Sequence, residues 1–218
     1  MSISTIIQND VCITIIKQNC EKWIEIVFKR ELTNTKMGSV GHLFFGEKPS
    51  DQSINIKLGR FGEFLSQELI KQNNDFKLLK CGVQNIENET KKKDIDLLFE
   101  NIKTKKIYYF ELKGNIQLDT EKIPATLEKC KKIENSLKNC YSEEQEYTIE
   151  TGILNWSIYN RDKLSAGLSN IKTFENGGIK IYHMQEFLQI FKINWNEDDF
   201  YSYCRNLGDK INNYNRNY

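Results

Sequence analysis

An α/β fold, with a central mixed β-sheet flanked by α-helices, is what this chain predicts. Two observations carry the prediction. Apolar residues recur at helical spacing near both ends and once in the middle, and between those segments lie short runs with the two-residue alternation of strands. The order is helices, strands, helix, strand, strand, helix, which buries every apolar face when helices cover both sides of one sheet. At 218 residues the chain suffices for one domain with a sizeable core. The expected partition is an N-terminal helical and loop region (1–57), a core (58–195) and a C-terminal tail (196–218).

The elements follow in order. Residues 5–31 place Ile15, Ile16, Cys20, Trp23, Ile24 and Val27 at helical spacing. Residues 33–57 hold Gly38, Gly41, Gly46 and Pro49 among polar residues and read as a loop-rich connection. A second helix is expected over 59–72, with an apolar stripe of Phe61, Phe64, Leu65 and Leu69. The period then changes. Residues 76–84, 94–99 (DIDLLF) and 106–113 (KIYYFELK) read as strands, and the polar NIKTKK between the last two suits a turn. Asp119 fits a helix N-cap and Pro124 the first turn of a helix through TLEKCKKIENSLKNCY. Strands are expected over 151–160 and 178–184, then a helix over 185–203 and a frayed polar end. Trp23 and Trp195 are expected in the core, and Tyr182 and His183 in packing contacts of the last strand.

Composition excludes more than it assigns. A net charge of +1 argues against a passive nucleic-acid coat, while leaving room for a local basic face. No apolar run is long enough to span a bilayer. The opening MSISTIIQNDVC lacks the basic region and apolar core of a signal peptide, so a cytoplasmic protein without membrane attachment is expected. The six cysteines form no C-x-x-C pair, and His42 and His183 are far apart. Free thiols are therefore expected, and no zinc site.

The chemistry concentrates in the hairpin of DIDLLF and KIYYFELK. A turn centred on Lys103 and Thr104 sets Asp96 opposite Glu111. Alternation then points Glu111 and Lys113 one way and Phe110 and Leu112 the other. Two carboxylates and a lysine converge at one end of an apolar hairpin. Charges so placed need a partner, and a divalent cation such as magnesium suits carboxylate oxygens. The competing reading is a solvated strand face with a surface ion pair. Asp94 is the alternative first carboxylate.

These residues resemble the core signature of the PD-(D/E)XK nucleases, in which an Asp opens one strand and a (D/E)-x-K triplet lies on the next. The matching positions are Asp96, Glu111 and Lys113, with Ile95 where the family often has proline. The resemblance also covers Gly59-Arg60-Phe61-Gly62-Glu63, like the G-x-x-x-E context of an upstream helix glutamate. It implies an assisting role for Glu63, with Glu68 as the alternative, and offers Gln117 and Lys129 as accessory polar or basic residues. It implies a restriction-endonuclease-like core and magnesium-dependent hydrolysis of DNA phosphodiesters. Asp96 and Glu111 would hold the metal, and Lys113 would orient or activate a water. The lead from ELKGNIQLDTEKIPATLEK into a basic helix is most like type II restriction enzymes, which act on double-stranded DNA as homodimers. A repair or junction-resolving nuclease of the same superfamily is the nearest alternative. A non-catalytic DNA-binding or partner-binding domain is the alternative from another class.

DNA contacts are expected from Lys91, Lys92 and Lys93 just before the hairpin, and from Asn160 and Arg161 at the end of a strand. Lys129, Lys131, Lys132 and Lys138 decorate the following helix and read as a solvated face rather than a DNA track.

Overall fold

The computed structural model describes residues 3–30, 33–86, 90–116, 120–141 and 146–216. They divide into two compact units. One comprises residues up to 65 together with 193–218, and the other residues 66–192.

The first unit is helical. Helix α1 (Ile3–Arg30) buries Ile13, Ile16, Cys20, Ile24, Val27 and Phe28, at the spacing that the sequence shows. Helix α7 (Glu197–Arg216) packs along it. Lys17 holds Asp199 at 2.8 Å, the Tyr203 hydroxyl donates to the Lys17 carbonyl, and Asn9 and Asn194 exchange hydrogen bonds. Trp195 is buried, whereas Trp23 is half-exposed and stacks on Phe64. Two expectations are corrected here. The connection over 33–57 is not mainly loop: it contains helix α2 (Val40–Phe45) and the start of α3 (Asp51–Lys71). Ser39 caps α2 by accepting from the His42 N–H, so the glycines flank a short helix instead of preventing one. The polar end over 209–218, expected to fray, is helical as far as Arg216, because Phe200, Tyr203, Leu207 and Ile211 give α7 a buried stripe.

The second unit carries a five-stranded mixed sheet with helices on both faces, which is the expected α/β class. Its order is β1 (Phe76–Leu78), β4 (Leu97–Asn101), β5 (Lys106–Lys113), β6 (Thr148–Asn155), β7 (Lys180–His183). β1, β4 and β5 are antiparallel neighbours, while β6 and β7 add in parallel. The crossover from β5 to β6 runs through α4 (Ile123–Cys140), as a parallel pair requires. Pro124 stands in its first turn as expected. The capping position is Lys122, without a side-chain bond; Asp119 lies outside the described residues.

The expected strand over 76–84 is two strands. Gly82 has φ of +86°, and beyond it β2 (Gly82–Gln84) pairs with β3 (Lys93–Ile95) in a separate ribbon. The strand expected over 94–99 is likewise split, with β3 ending at Ile95 and β4 starting at Leu97. Helix α5 (Leu168–Asn176), which the sequence pattern did not announce, covers the sheet beside α4. Helix α6 (Met184–Ile190) ends before Lys192, whose φ of +59° breaks the single helix expected over 185–203.

The two faces of the sheet differ. Toward α4 and α5 lie Ile107, Tyr109, Ile153 and Ile181, packed on Cys130, Ile133, Leu137, Ile171 and Phe174. On the other face Phe99, Tyr108 and Phe110 stack in a row, and Phe187 meets Phe99 and Phe110 edge-on. Gly152 is the small residue this packing needs. A Cβ there would stand 2.8 Å from the Tyr182 ring and 2.9 Å from the Phe110 ring. All six cysteines are free thiols. Among the described residues no helix is long and apolar enough to cross a membrane.

Candidate active site

The register of the hairpin places the site. Leu97 pairs with Phe110 and Leu98 with Tyr109, so the position before Leu97 falls beside Glu111. That position is Asp96, at the break where the chain leaves the β2–β3 ribbon and enters β4. Asp96 thus stands outside the ladders of both β3 and β4. Asp96 Oδ2 accepts the Leu112 N–H at 2.8 Å, which ties the end of β5 to this carboxylate. Asp94, the alternative, sits exposed on β3 opposite Val83.

Glu111 is buried, with 6% of its surface exposed. Its Oε2 accepts from the Tyr109 hydroxyl at 3.1 Å and from Lys129 Nζ at 2.5 Å. Lys113 Nζ stands 3.6 Å from Glu111 Oε1, as their shared strand parity requires. Lys129 Nζ also stands 3.6 Å from Asp96 Oδ1. The Lys129 ammonium thus bridges the two carboxylates that the sequence singled out. Burial pulls the Lys129 pKa down, but attraction to Glu111 and Asp96 outweighs it and the net shift is upward, so Lys129 is a cation. Tyr109 is held protonated by burial first and by the Glu111 charge second. Burial and the same charge push the Cys130 thiol up to about 12, which leaves it inert as a nucleophile.

Lys129 enters the site because of its helix position. It lies three residues after Thr126 and four before Ile133, both buried, and so shares the inward face of α4. That signal was present in the sequence. Without a known partner strand, however, Lys129 looked like one of several helix lysines.

Two further residues stand in the same row of the sheet. Lys113 pairs with Asn155, the last residue of β6, and Asn155 pairs with His183, the last residue of β7. Asn155 and His183 are almost fully buried, and the Asn155 amide lies 3.5 Å from His183 Nδ1. Burial depresses the His183 pKa, so the ring is neutral. His183 therefore lies in packed surroundings, as expected for the last strand, but on the site face of the sheet.

The remaining candidates are dispersed. Lys91 and Lys92 are exposed in the turn before β3, and Lys93 starts that strand half-buried. Asn160 precedes a short 3-10 turn, and the Arg161 guanidinium is engaged by Glu175 at 2.9 and 3.2 Å. Glu63 lies on the part of α3 that belongs to the first unit. Glu68 lies in the second, buried and held by Lys71 at 2.7 Å. Gln117 falls outside the described residues.

The carboxylates suit a hard divalent cation. Asp96 and Glu111 converge on one cationic group, and both offer oxygen donors, the kind magnesium prefers. Among the described residues no cluster of three or more His, Cys, Asp or Glu side chains is present, so waters would complete such an ion's shell. In comparisons with known proteins, the chain matches no family model and no curated protein.

Proposed function

We propose that this chain is a magnesium-dependent endonuclease with a restriction-endonuclease-like core, of the PD-(D/E)XK superfamily and most like type II restriction enzymes. In this reading it is a cytoplasmic homodimer that hydrolyses phosphodiesters at a short site in double-stranded DNA. The observation that carries the reading is the convergence of Asp96, Glu111 and Lys113 at one end of the β4–β5 hairpin. Lys91 and Lys92 stand exposed in the turn that leads through β3 to Asp96, which fits a polymeric anionic substrate.

Asp96 and Glu111 would hold the metal, which when bound supplies Lewis-acid stabilisation of charge on the phosphoryl oxygens. The Leu112 N–H fixes one Asp96 oxygen and the Tyr109 hydroxyl one Glu111 oxygen. Those bonds leave Asp96 Oδ1 facing Lys129 and Glu111 Oε1 facing Lys113, each at 3.6 Å, while Lys129 also holds the Glu111 oxygen that Tyr109 binds. Lys113 is the residue that orients the attacking water or stabilises charge on the phosphate. Lys129, which Glu111 and Asp96 hold here, would offer its charge to the substrate phosphate where a metal takes its place between the carboxylates.

A second reading has a specific observation behind it. Lys113 and Lys129 together balance the charges of Asp96 and Glu111, which is what a structural ion cluster in a non-catalytic binding domain would also show. Digestion of unmethylated phage DNA with magnesium separates the two. Discrete fragments, abolished by EDTA and reduced about 10²- to 10⁴-fold by Lys113→Ala, are expected for the enzyme. No cleavage of linear or branched DNA leaves the ion cluster as a structural feature.

A further inference from the structure

The unit formed by residues up to 65 and 193–218 contains a cavity of about 620 Å3 that no part of the site above uses. Its wall is an ordered excursion between α1 and α3. Residues 33–35 and 48–50 run antiparallel, with Asn34 bridged to Pro49, the Thr35 N–H on the Lys48 carbonyl and the Ser50 N–H on the Thr33 carbonyl. The Thr35 hydroxyl donates to the Gly46 carbonyl, which fixes the far end of the excursion. The first turns of α3 form the other side, contributing Gln52, Ser53, Ile56, Lys57 and Arg60.

The chemistry of this lining is one-sided. Among the described residues it includes three cations, Lys36, Lys57 and Arg60, and the amides of Asn34 and Gln52, but no carboxylate. Asp51 is flanked by lining residues yet does not itself line the cavity. Lys57 is 91% buried by its 9% exposure, an uncommon position for a lysine. Among the described residues, Lys36 and Arg60 make no ion pair. Elsewhere in the same unit Lys17, Lys29 and Lys210 each hold a carboxylate. A cavity that gathers cations, leaves two of them without acidic partners and surrounds them with neutral hydrogen-bonding groups suits an anion. Lys and Arg beside Ser, Thr, Asn and Gln are the side chains that grip the sugar-phosphate backbone of DNA.

We infer that this cavity holds phosphates of a DNA backbone, with Lys36 and Arg60 as the contacting cations and Lys57 fixing the field behind them. The inference deepens the nuclease reading, and rests on it for the identity of the polymer. These contacts carry no base readout; they set where the duplex lies and add a salt-dependent share of its affinity.

The test is binding of a fluorescent DNA duplex by the full chain in EDTA, so that cleavage plays no part, over a range of salt concentrations. The Lys36→Ala, Arg60→Ala double variant is compared with wild type. Both side chains are exposed, so the fold is retained, and circular dichroism checks it. Loss of two phosphate contacts makes the slope of log K against log salt shallower by about 2, at ~0.9 per contact, with weaker binding at every salt. Identical affinity and slope in the variant overturn the inference. Tripolyphosphate that binds wild type but not the double variant, and leaves duplex binding unchanged, overturns the DNA occupant. The two proposals fail separately. Cleavage by wild type with unaltered binding by the double variant removes only the cavity. Duplex binding lost in the double variant, without cleavage by wild type, removes only the nuclease.

Discussion

The two faces of the five-stranded sheet are built from the same strands and do different work. On one, Phe99, Tyr108, Phe110, Tyr182 and Phe187 form a continuous aromatic layer, and charged groups stand only at its rim, Lys106 over the Tyr108 ring and paired with Glu150, and Lys180 over the Tyr182 ring. On the other, an aliphatic core of Ile107, Ile153, Ile181 and Ile133 gives way at the strand ends to Asp96, Glu111, Lys113, Asn155 and His183, with Lys129 above them. Successive residues of β5 alternate between these surroundings: Phe110 among rings, Glu111 among charges, Leu112 donating its N–H to Asp96, and Lys113 again among charges. The lesson is that a rigid apolar layer on one side lets the other concentrate like and unlike charges in fixed places. Ordered aromatic contacts resist the adjustments that charge repulsion would otherwise force.

The largest effect that would test this division is on the aromatic side. Phe99→Ala removes a fully buried ring in contact with Tyr108, Phe110, Phe187 and Phe191. Chemical denaturation should show a loss of about 3–5 kcal/mol. A loss well below that range would mean the layer is not the rigid support.

Lys129→Met comes next. It leaves Asp96 and Glu111 facing each other without their bridging cation, which should cost up to about 3 kcal/mol in the absence of divalent ions. Calorimetry should show tighter binding of magnesium or calcium than in wild type, and the added ion should restore stability. Weaker ion binding in this variant would show that Lys129 organises the carboxylates instead of occupying their shared space.

The smallest effect is a change of slope with pH. His183 is buried, and desolvation lowers its pKa; Arg161 acts in the same direction, and Glu186 and Glu175 oppose it. The unfolded chain therefore takes up this proton more readily than the folded one. Stability from the neutral ring is present above the unfolded value of about 6.5 and is lost as pH falls through that value toward the lowered folded one. Denaturation midpoints of His183→Gln should fall less steeply than those of wild type between about pH 7.5 and about pH 5. Parallel slopes would place His183 outside the balance of the charged face.

Much of this was legible in the chain itself. The alternation in KIYYFELK determined that Glu111 and Lys113 share a face. The length of the polar turn determined the register that sets Asp96 beside Glu111, because pairing distance along a hairpin is counted in residues. The helical stripe of α1 and the mixed α/β class followed from periodicity in the same way. Other features depended on contacts between segments far apart in sequence. The break at Asp96 arises because β3 finds β2 and β4 finds β1, a choice of partners that no local pattern announces. Lys129 joins the carboxylates, and Asn155 and His183 line up with Lys113, only once α4 packs on the sheet and β6 and β7 add in parallel. Side-chain periodicity is a property of one segment and can be read from it. Convergence of charges from a hairpin and a helix, beside polar groups from two further strands, is a property of how segments pair, and pairing is decided by burial of the whole.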